Sequence, residues 1–231
     1  MGRLIEALRE CDALLQIALD FSSLSEAIKI VRMLPEKREI ALEAGTPLIK
    51  SWGMVSIRAL RSARPNSLIV ADTKTADVAR IEAEIVAKAG GNAFTVLTTA
   101  SDETLRSAAE AARDLNLDVY GDTISQKDPI EAVLAIQRWG LNIVLLHIGI
   151  DVQRSLGVRA SSLTELIRNL ADSFNLPVAV AGGVRPKEMR ALIEAGARIV
   201  IIGSAVTRAS DPRSAVLEAL SALTEAGAKC R

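Results

Sequence analysis

Eight short runs of aliphatic and β-branched residues, each followed by a longer amphipathic stretch, repeat along the chain, and this alternation constrains the fold more than any single motif. The spacing predicts strands at 14–20, 39–44, 67–72, 93–97, 118–123, 143–147, 178–181 and 199–202. Helices are predicted at 25–33, 53–63, 78–89, 103–115, 129–139, 163–174, 186–195 and 212–226. Strands separated by helices pair in parallel, because each crossover returns the chain to the same end of the sheet. Eight such units in 231 residues predict an α/β fold, a single-domain (β/α)8 TIM barrel over residues 1–231. The rival is an open doubly wound sheet, which places its phosphate-binding glycines after the first strand. Here the first strand ends Leu19-Asp20-Phe21, and glycine turns follow the last two strands at Gly182-Gly183 and Gly203-Ser204.

Composition removes several classes of function. The 28 Lys and Arg balance 28 Asp and Glu, so no general field draws nucleic acid or an anionic membrane. Aromatic residues make up 3% of the chain, too few for base-stacking platforms. One histidine excludes zinc sites built on two, and no G-x-S-x-G elbow is present for a serine hydrolase. Charges through residues 1–12 argue against a signal peptide, and no stretch is apolar enough to span a bilayer. Cys11 and Cys230, near opposite ends, lack the spacing of a disulfide framework, so the expectation is a reducing, cytoplasmic setting.

In a barrel, chemistry gathers at the C-terminal strand ends, and nearly every predicted strand ends in a polar residue. These are Asp20, Glu43, Asp72 with Lys74 and Asp77, Thr98, Asp122, and His147 with Asp151. In Asp72-Thr73-Lys74-Thr75-Ala76-Asp77, a D-x-K-x-x-D pattern, residues 72 and 74 of an extended segment share a face. An ammonium between carboxylates stabilises an enolate developing on a substrate, although the same spacing also describes a surface ion pair with Asp77 as helix cap. Glu43 and Asp72 together suit Mg2+, a hard cation satisfied by one or two carboxylates, or Glu43 serves only the Gly45-Thr46-Pro47 turn. His147 suits proton transfer near neutral pH, with Asp151 orienting it or capping a turn. Gly182, Gly183, Gly203 and Ser204 present backbone N–H groups to an anion, with Arg185 and Arg208 as further candidates.

Taken together, the segments Leu15–Asp20, Glu43–Lys50, Asp72–Asp77, His147–Gln153, Val180–Val184 and Gly203–Thr207 resemble the orotidine-5'-phosphate decarboxylase suprafamily, and within it the hexulose-phosphate synthase branch. The resemblance implies a Mg2+-assisted aldol reaction in which an enediolate of D-ribulose 5-phosphate adds to formaldehyde, or the reverse cleavage. It implies Glu43 and Asp72 as metal ligands, Lys74 beside the enediolate, and His147 as proton shuttle. Asp20, Asp122, Asp151 and the glycine turns would contact substrate. It also implies a homodimer in which Asp77 reaches the neighbouring site. Thr73 and the pair Ser51-Trp52 depart from the relatives' pattern, and Ile150 stands where the related 3-keto-L-gulonate-6-phosphate decarboxylases carry arginine. The competing readings are such a decarboxylase and a non-catalytic barrel that binds a sugar phosphate. Any isomerase acting on the product would be a separate protein.

Overall fold

The structure is a computed structural model describing residues 2–231. Eight parallel strands close in sequence order into a barrel: β1 (Leu14–Leu19), β2 (Ile40–Ala44), β3 (Leu68–Thr75), β4 (Ala93–Leu97), β5 (Asp118–Asp122), β6 (Ile143–His147), β7 (Val178–Ala181) and β8 (Ala197–Ile202). Pairing of β1 with β8, in a register that sets Leu14 beside Ile199, closes the ring and excludes the open sheet. The helices are α1 (Arg3–Glu10), α2 (Leu24–Met33), α3 (Thr46–Trp52), α4 (Met54–Ala63), α5 (Ala79–Ala89), α6 (Asp102–Leu115), α7 (Pro129–Trp139), α8 (Ile150–Leu156), α9 (Thr164–Ser173), α10 (Pro186–Glu194), α11 (Ser204–Thr207) and α12 (Pro212–Glu225).

The period of two along each strand divides its side chains between two cores. Leu15, Ile17, Leu42, Ile69, Phe94 and Val119 face outward and pack beneath the helices. Ala18, Ala41, Val70, Ala93, Tyr120 and Leu145 fill the barrel interior. Two residues further along the same strands come Asp20, Glu43, Asp72, Thr95, Asp122 and His147. Strand parity therefore carries the interior face upward into one polar ring at the C-terminal mouth.

The sequence did not signal α1. Its Leu4 and Leu8, one turn apart, are buried with Leu14 and Ile199 and close the N-terminal end of the barrel. Burial of each contributes about 1.5–3 kcal/mol. Asp118, fully buried at the foot of β5, accepts from the N–H groups of Leu4 at 2.7 Å and Ile5 at 3.2 Å, satisfying donors that the first helical turn leaves free. The predicted starts of α7 and α12 hold, with Asp128 and Asp211 accepting from backbone N–H groups of the first turn. β3 runs to Thr75 rather than ending at residue 72, and β8 begins two residues earlier than predicted.

The two cysteines depart from expectation. Cys11 and Cys230 are joined as a disulfide across 219 residues. Alongside it, Asp12 N donates to Lys229 O at 2.9 Å and Arg231 N to Glu10 O at 2.8 Å. Ring closure is the reason: it brings α12 against α2 and returns the end of the chain to the start of β1. Linear separation did not reveal that approach.

Candidate active site

The ring is organised around Lys74. Its Nζ lies 3.0 and 2.8 Å from Oδ1 and Oδ2 of Asp72 and 3.2 Å from Oδ2 of Asp122. Asp72 and Lys74 thus share a pocket, as their spacing predicted, although the route is irregular. The β3–β4 register shifts between Ala71 and Thr75, and Lys74 adopts a left-handed backbone with φ 47°. Thr95 supports that turn: its hydroxyl accepts from Lys74 N at 2.9 Å and donates to Asp72 Oδ1 at 2.9 Å. Thr46, in the Gly-Thr-Pro turn after β2, donates to Asp72 Oδ2 at 2.7 Å. Burial would lower the Lys74 pKa, but Asp72 and Asp122 outweigh it and push it above the ordinary lysine value, so the ammonium stays charged.

Asp122 joins lysine to histidine. Both of its carboxylate oxygens lie 3.2 Å from His147 Nδ1, and Oδ1 also accepts from Ile124 N at 2.9 Å. Burial pushes its carboxyl up, but His147 and Lys74 more than offset this and hold it below the usual aspartate range. Thr98 donates to the Asp122 carbonyl at 3.0 Å. Asp122 is fully buried, and its carboxylate contacts the Lys74 and His147 side chains. Asp151 is exposed on α8, and the orienting place beside His147 belongs to Asp122.

Glu43 is buried on β2, and its Oε2 accepts from Gln16 Nε2 at 2.6 Å. Burial, then Asp72 and Asp20, push its carboxyl well above the ordinary glutamate range. Asp20 reaches solvent, yet the surrounding protein desolvates its carboxyl and, with Asp72, pushes it up as well. It fits at the mouth because Gly45 lacks a side chain: a Cβ there would collide with Asp20 Oδ1. Asp20, Glu43, Asp72 and Asp122 outnumber the single lysine.

A divalent cation would offset the burial and mutual repulsion that push the Glu43 and Asp20 carboxyls up, and hold them ionised. Among the described residues no three His, Cys, Asp or Glu side chains form a ready metal cluster. Mg2+ requires only one or two carboxylates, with water and substrate oxygens completing its shell, so the Glu43 and Asp72 donor set fits it.

The glycine turns lie at the same mouth. Gly182 and Gly183 take φ values of 122° and 68°, a left-handed backbone that side chains disfavour. A Cβ on Gly182 would lie 2.6 Å from the Ile148 carbonyl. Gly203 and Ser204 open α11, while Arg185 and Arg208 are exposed. Asp77 is exposed, lies outside its own ring, and accepts from Val78 N at 2.8 Å. Trp52 is half-exposed and donates to the Ser22 carbonyl at 2.9 Å, tying α3 to the loop after β1. Sequence reasoning missed Gln16, Thr46 and Thr95. Strand parity marks Gln16 and Thr95 as interior positions, but their partners lie on other strands.

Together, the closed barrel and the lysine–carboxylate–histidine cluster define a (β/α)8 barrel with a charged candidate active site at its C-terminal mouth. The profile of the orotidine 5'-phosphate decarboxylase / HUMPS family matches residues 13–219, and the chain belongs to that family. It is 34% identical over 209 residues to the 3-hexulose-6-phosphate synthase of Mycobacterium gastri, covering 90% of this chain and 99% of that one. It is also 35% identical over 209 residues to the bifunctional enzyme Fae/Hps of Archaeoglobus fulgidus, covering 90% of this chain and 52% of that one. The chain thus spans about half the length of that bifunctional relative. A crystal structure of a 3-hexulose-6-phosphate synthase superposes with a TM-score of 0.84 at 33% identity, covering 90% of this chain and 99% of that one. KGPDC from Streptococcus mutans shares the fold at 23% identity, with a TM-score of 0.84 over 92% of this chain and 98% of that one.

Proposed function

We propose that the chain catalyses the reversible, Mg2+-assisted condensation of D-ribulose 5-phosphate with formaldehyde through an enediolate. The observation that carries this reading is the contact of the Lys74 ammonium with both Asp72 and Asp122, with His147 on the far side of Asp122. A proton leaves C1 of the ketose, C1 then forms a bond to the formaldehyde carbon, and the former aldehyde oxygen takes up a proton.

In this reading the Asp122 carboxylate accepts from Nδ1–H of His147, leaving Nε2 to take the C1 proton and to return one. Lys74 holds a fixed positive charge beside the enediolate oxygens. Mg2+ held by Glu43 and Asp72 would supply Lewis-acid stabilisation of the same charge. Gly182, Gly183, Gly203 and Ser204 would bind the substrate phosphate, and Asp20 and Asp151 its hydroxyl groups. Ile150 is uncharged where a decarboxylase of this branch would place its arginine, which supports the synthase reading.

The proposal includes a homodimer. Val78 and Ile81 are 53% and 58% exposed beside Asp77, an apolar pair that a second copy would cover. A cytoplasmic location is also proposed. No helix among the described residues is long and apolar enough to cross a membrane, and the Cys11–Cys230 bond fits a cell interior only where structural disulfides persist there, as in hyperthermophiles.

The test is formaldehyde consumption by purified protein with D-ribulose 5-phosphate and Mg2+, repeated with EDTA and with Lys74→Ala. The expected result is consumption that both changes abolish. Full turnover in EDTA would remove the metal from the mechanism, and absence of consumption by the wild type would overturn the reaction.

A further inference from the structure

Two polar side chains lie below the ring, inside the barrel, where the proposed reaction does not need them. Gln16 and Tyr120 are 1% and 0% exposed. Aliphatic residues fill this layer of a barrel by default, and a buried polar group is costly unless it is hydrogen-bonded. Both are satisfied by each other and by the ring: the Tyr120 hydroxyl donates to Gln16 Oε1 at 2.7 Å, and Gln16 Nε2 donates to Glu43 Oε2 at 2.6 Å. Small neighbours at Ala18, Ala41, Ala93 and Ala179 leave room for the phenol to cross from β5 to β1.

The direction of this thread follows from the chemistry of its members. A carboxylate that ligates a cation is ionised and only accepts, so in that state the amide nitrogen faces Glu43 and the amide oxygen faces Tyr120, whose hydroxyl is then the donor. Turning the amide over would set its oxygen against the carboxylate and leave a buried hydroxyl proton without an acceptor. Among the described residues, Glu43 Oε1 makes no hydrogen bond.

We propose that Tyr120 and Gln16 are positioning residues, a buried hydrogen-bonded thread that fixes Glu43 Oε2 and leaves Oε1 for a divalent cation at the mouth. The inference rests on the reading of Glu43 as a cation ligand. Tyr120 acts only through Gln16, so the two contributions are not independent.

The experiment uses the full chain, Gln16→Met and Tyr120→Phe, both close in volume to the native residues, and the double variant. Mn2+ binding is measured by calorimetry, alongside kcat and KM for D-ribulose 5-phosphate and the melting temperature. Loss of an outer hydrogen bond to a metal ligand lowers affinity or activity by about 10–100-fold, and this is the expected effect of Gln16→Met on Mn2+ affinity and on kcat. KM is expected to change little. Tyr120→Phe moves the same quantities in the same direction, and the double variant is no worse than Gln16→Met. Folded single variants with wild-type Mn2+ affinity and kcat would overturn the proposal, as would losses that add in the double variant or a wild type that binds no Mn2+. A wild type that binds Mn2+ but consumes no formaldehyde removes the proposed reaction and leaves the thread to be decided by the Mn2+ titrations.

Discussion

His147 Nδ1 is 3.2 Å from both carboxylate oxygens of Asp122, which also accepts from Lys74 Nζ at 3.2 Å. One buried aspartate thus orients the imidazole and anchors the ammonium, although the two residues it serves lie on different strands. Asp122→Asn keeps the volume but removes the charge that favours Nδ1–H. It is expected to lower kcat by about 10²–10⁴-fold, the usual contribution of a positioned proton-transfer group. Exchange of the C1 proton of D-ribulose 5-phosphate in D2O without formaldehyde checks this step alone, and wild-type exchange in the variant would remove Asp122 from proton transfer.

The same residue sets an acid limb of stability. Burial raises its carboxyl, but His147 and Lys74 outweigh burial, so its folded pKa lies below its unfolded value. A depressed carboxylate contributes stability that is present above the unfolded pKa, near 3.8, and lost as pH falls through the folded pKa. Melting temperature is therefore expected to fall as the pH is lowered below about 4, and to fall less steeply in Asp122→Asn. Identical acid limbs in the two proteins would contradict this.

The Cys11–Cys230 bond ties α1, which plugs the barrel, to the end of the chain. Cross-linking so long a loop restricts the unfolded ensemble, so Cys11→Ser is expected to cost about 2–4 kcal/mol. Reductant should lower the melting temperature of the wild type and leave that of the variant unchanged. Two titratable thiols in the unreduced native protein would refute the link.

Gly182 is the backbone position least tolerant of a side chain at the mouth. Its φ is 122°, and a Cβ would lie 2.6 Å from the Ile148 carbonyl. Gly182→Ala is expected to destabilise by about 1–3 kcal/mol. It should also raise KM for D-ribulose 5-phosphate more than it lowers kcat, because the turn is proposed to hold phosphate while the proton-transfer residues stay in place. A kcat loss at constant KM, measured by steady-state kinetics, would place Gly182 with the chemistry instead.

Local patterns in the sequence determined the eight βα units, the barrel, and the polar strand ends that became the ring, because hydrophobic period and strand alternation are properties of neighbouring residues. Asp72 and Lys74 share a pocket as their spacing predicted, but they do so through the β3 irregularity and the left-handed backbone at Lys74, which alternation does not encode. Tertiary structure alone decided which groups pair. Asp122 took the orienting role considered for Asp151, Gln16 met Glu43 across 27 residues, and Tyr120 met Gln16 across 104. Asp118 capped a helix 114 residues away, and two cysteines from opposite ends became one bond. Such contacts depend on closing the ring, which fixes strand register and brings distant segments within hydrogen-bond or disulfide reach. No local pattern encodes those distances.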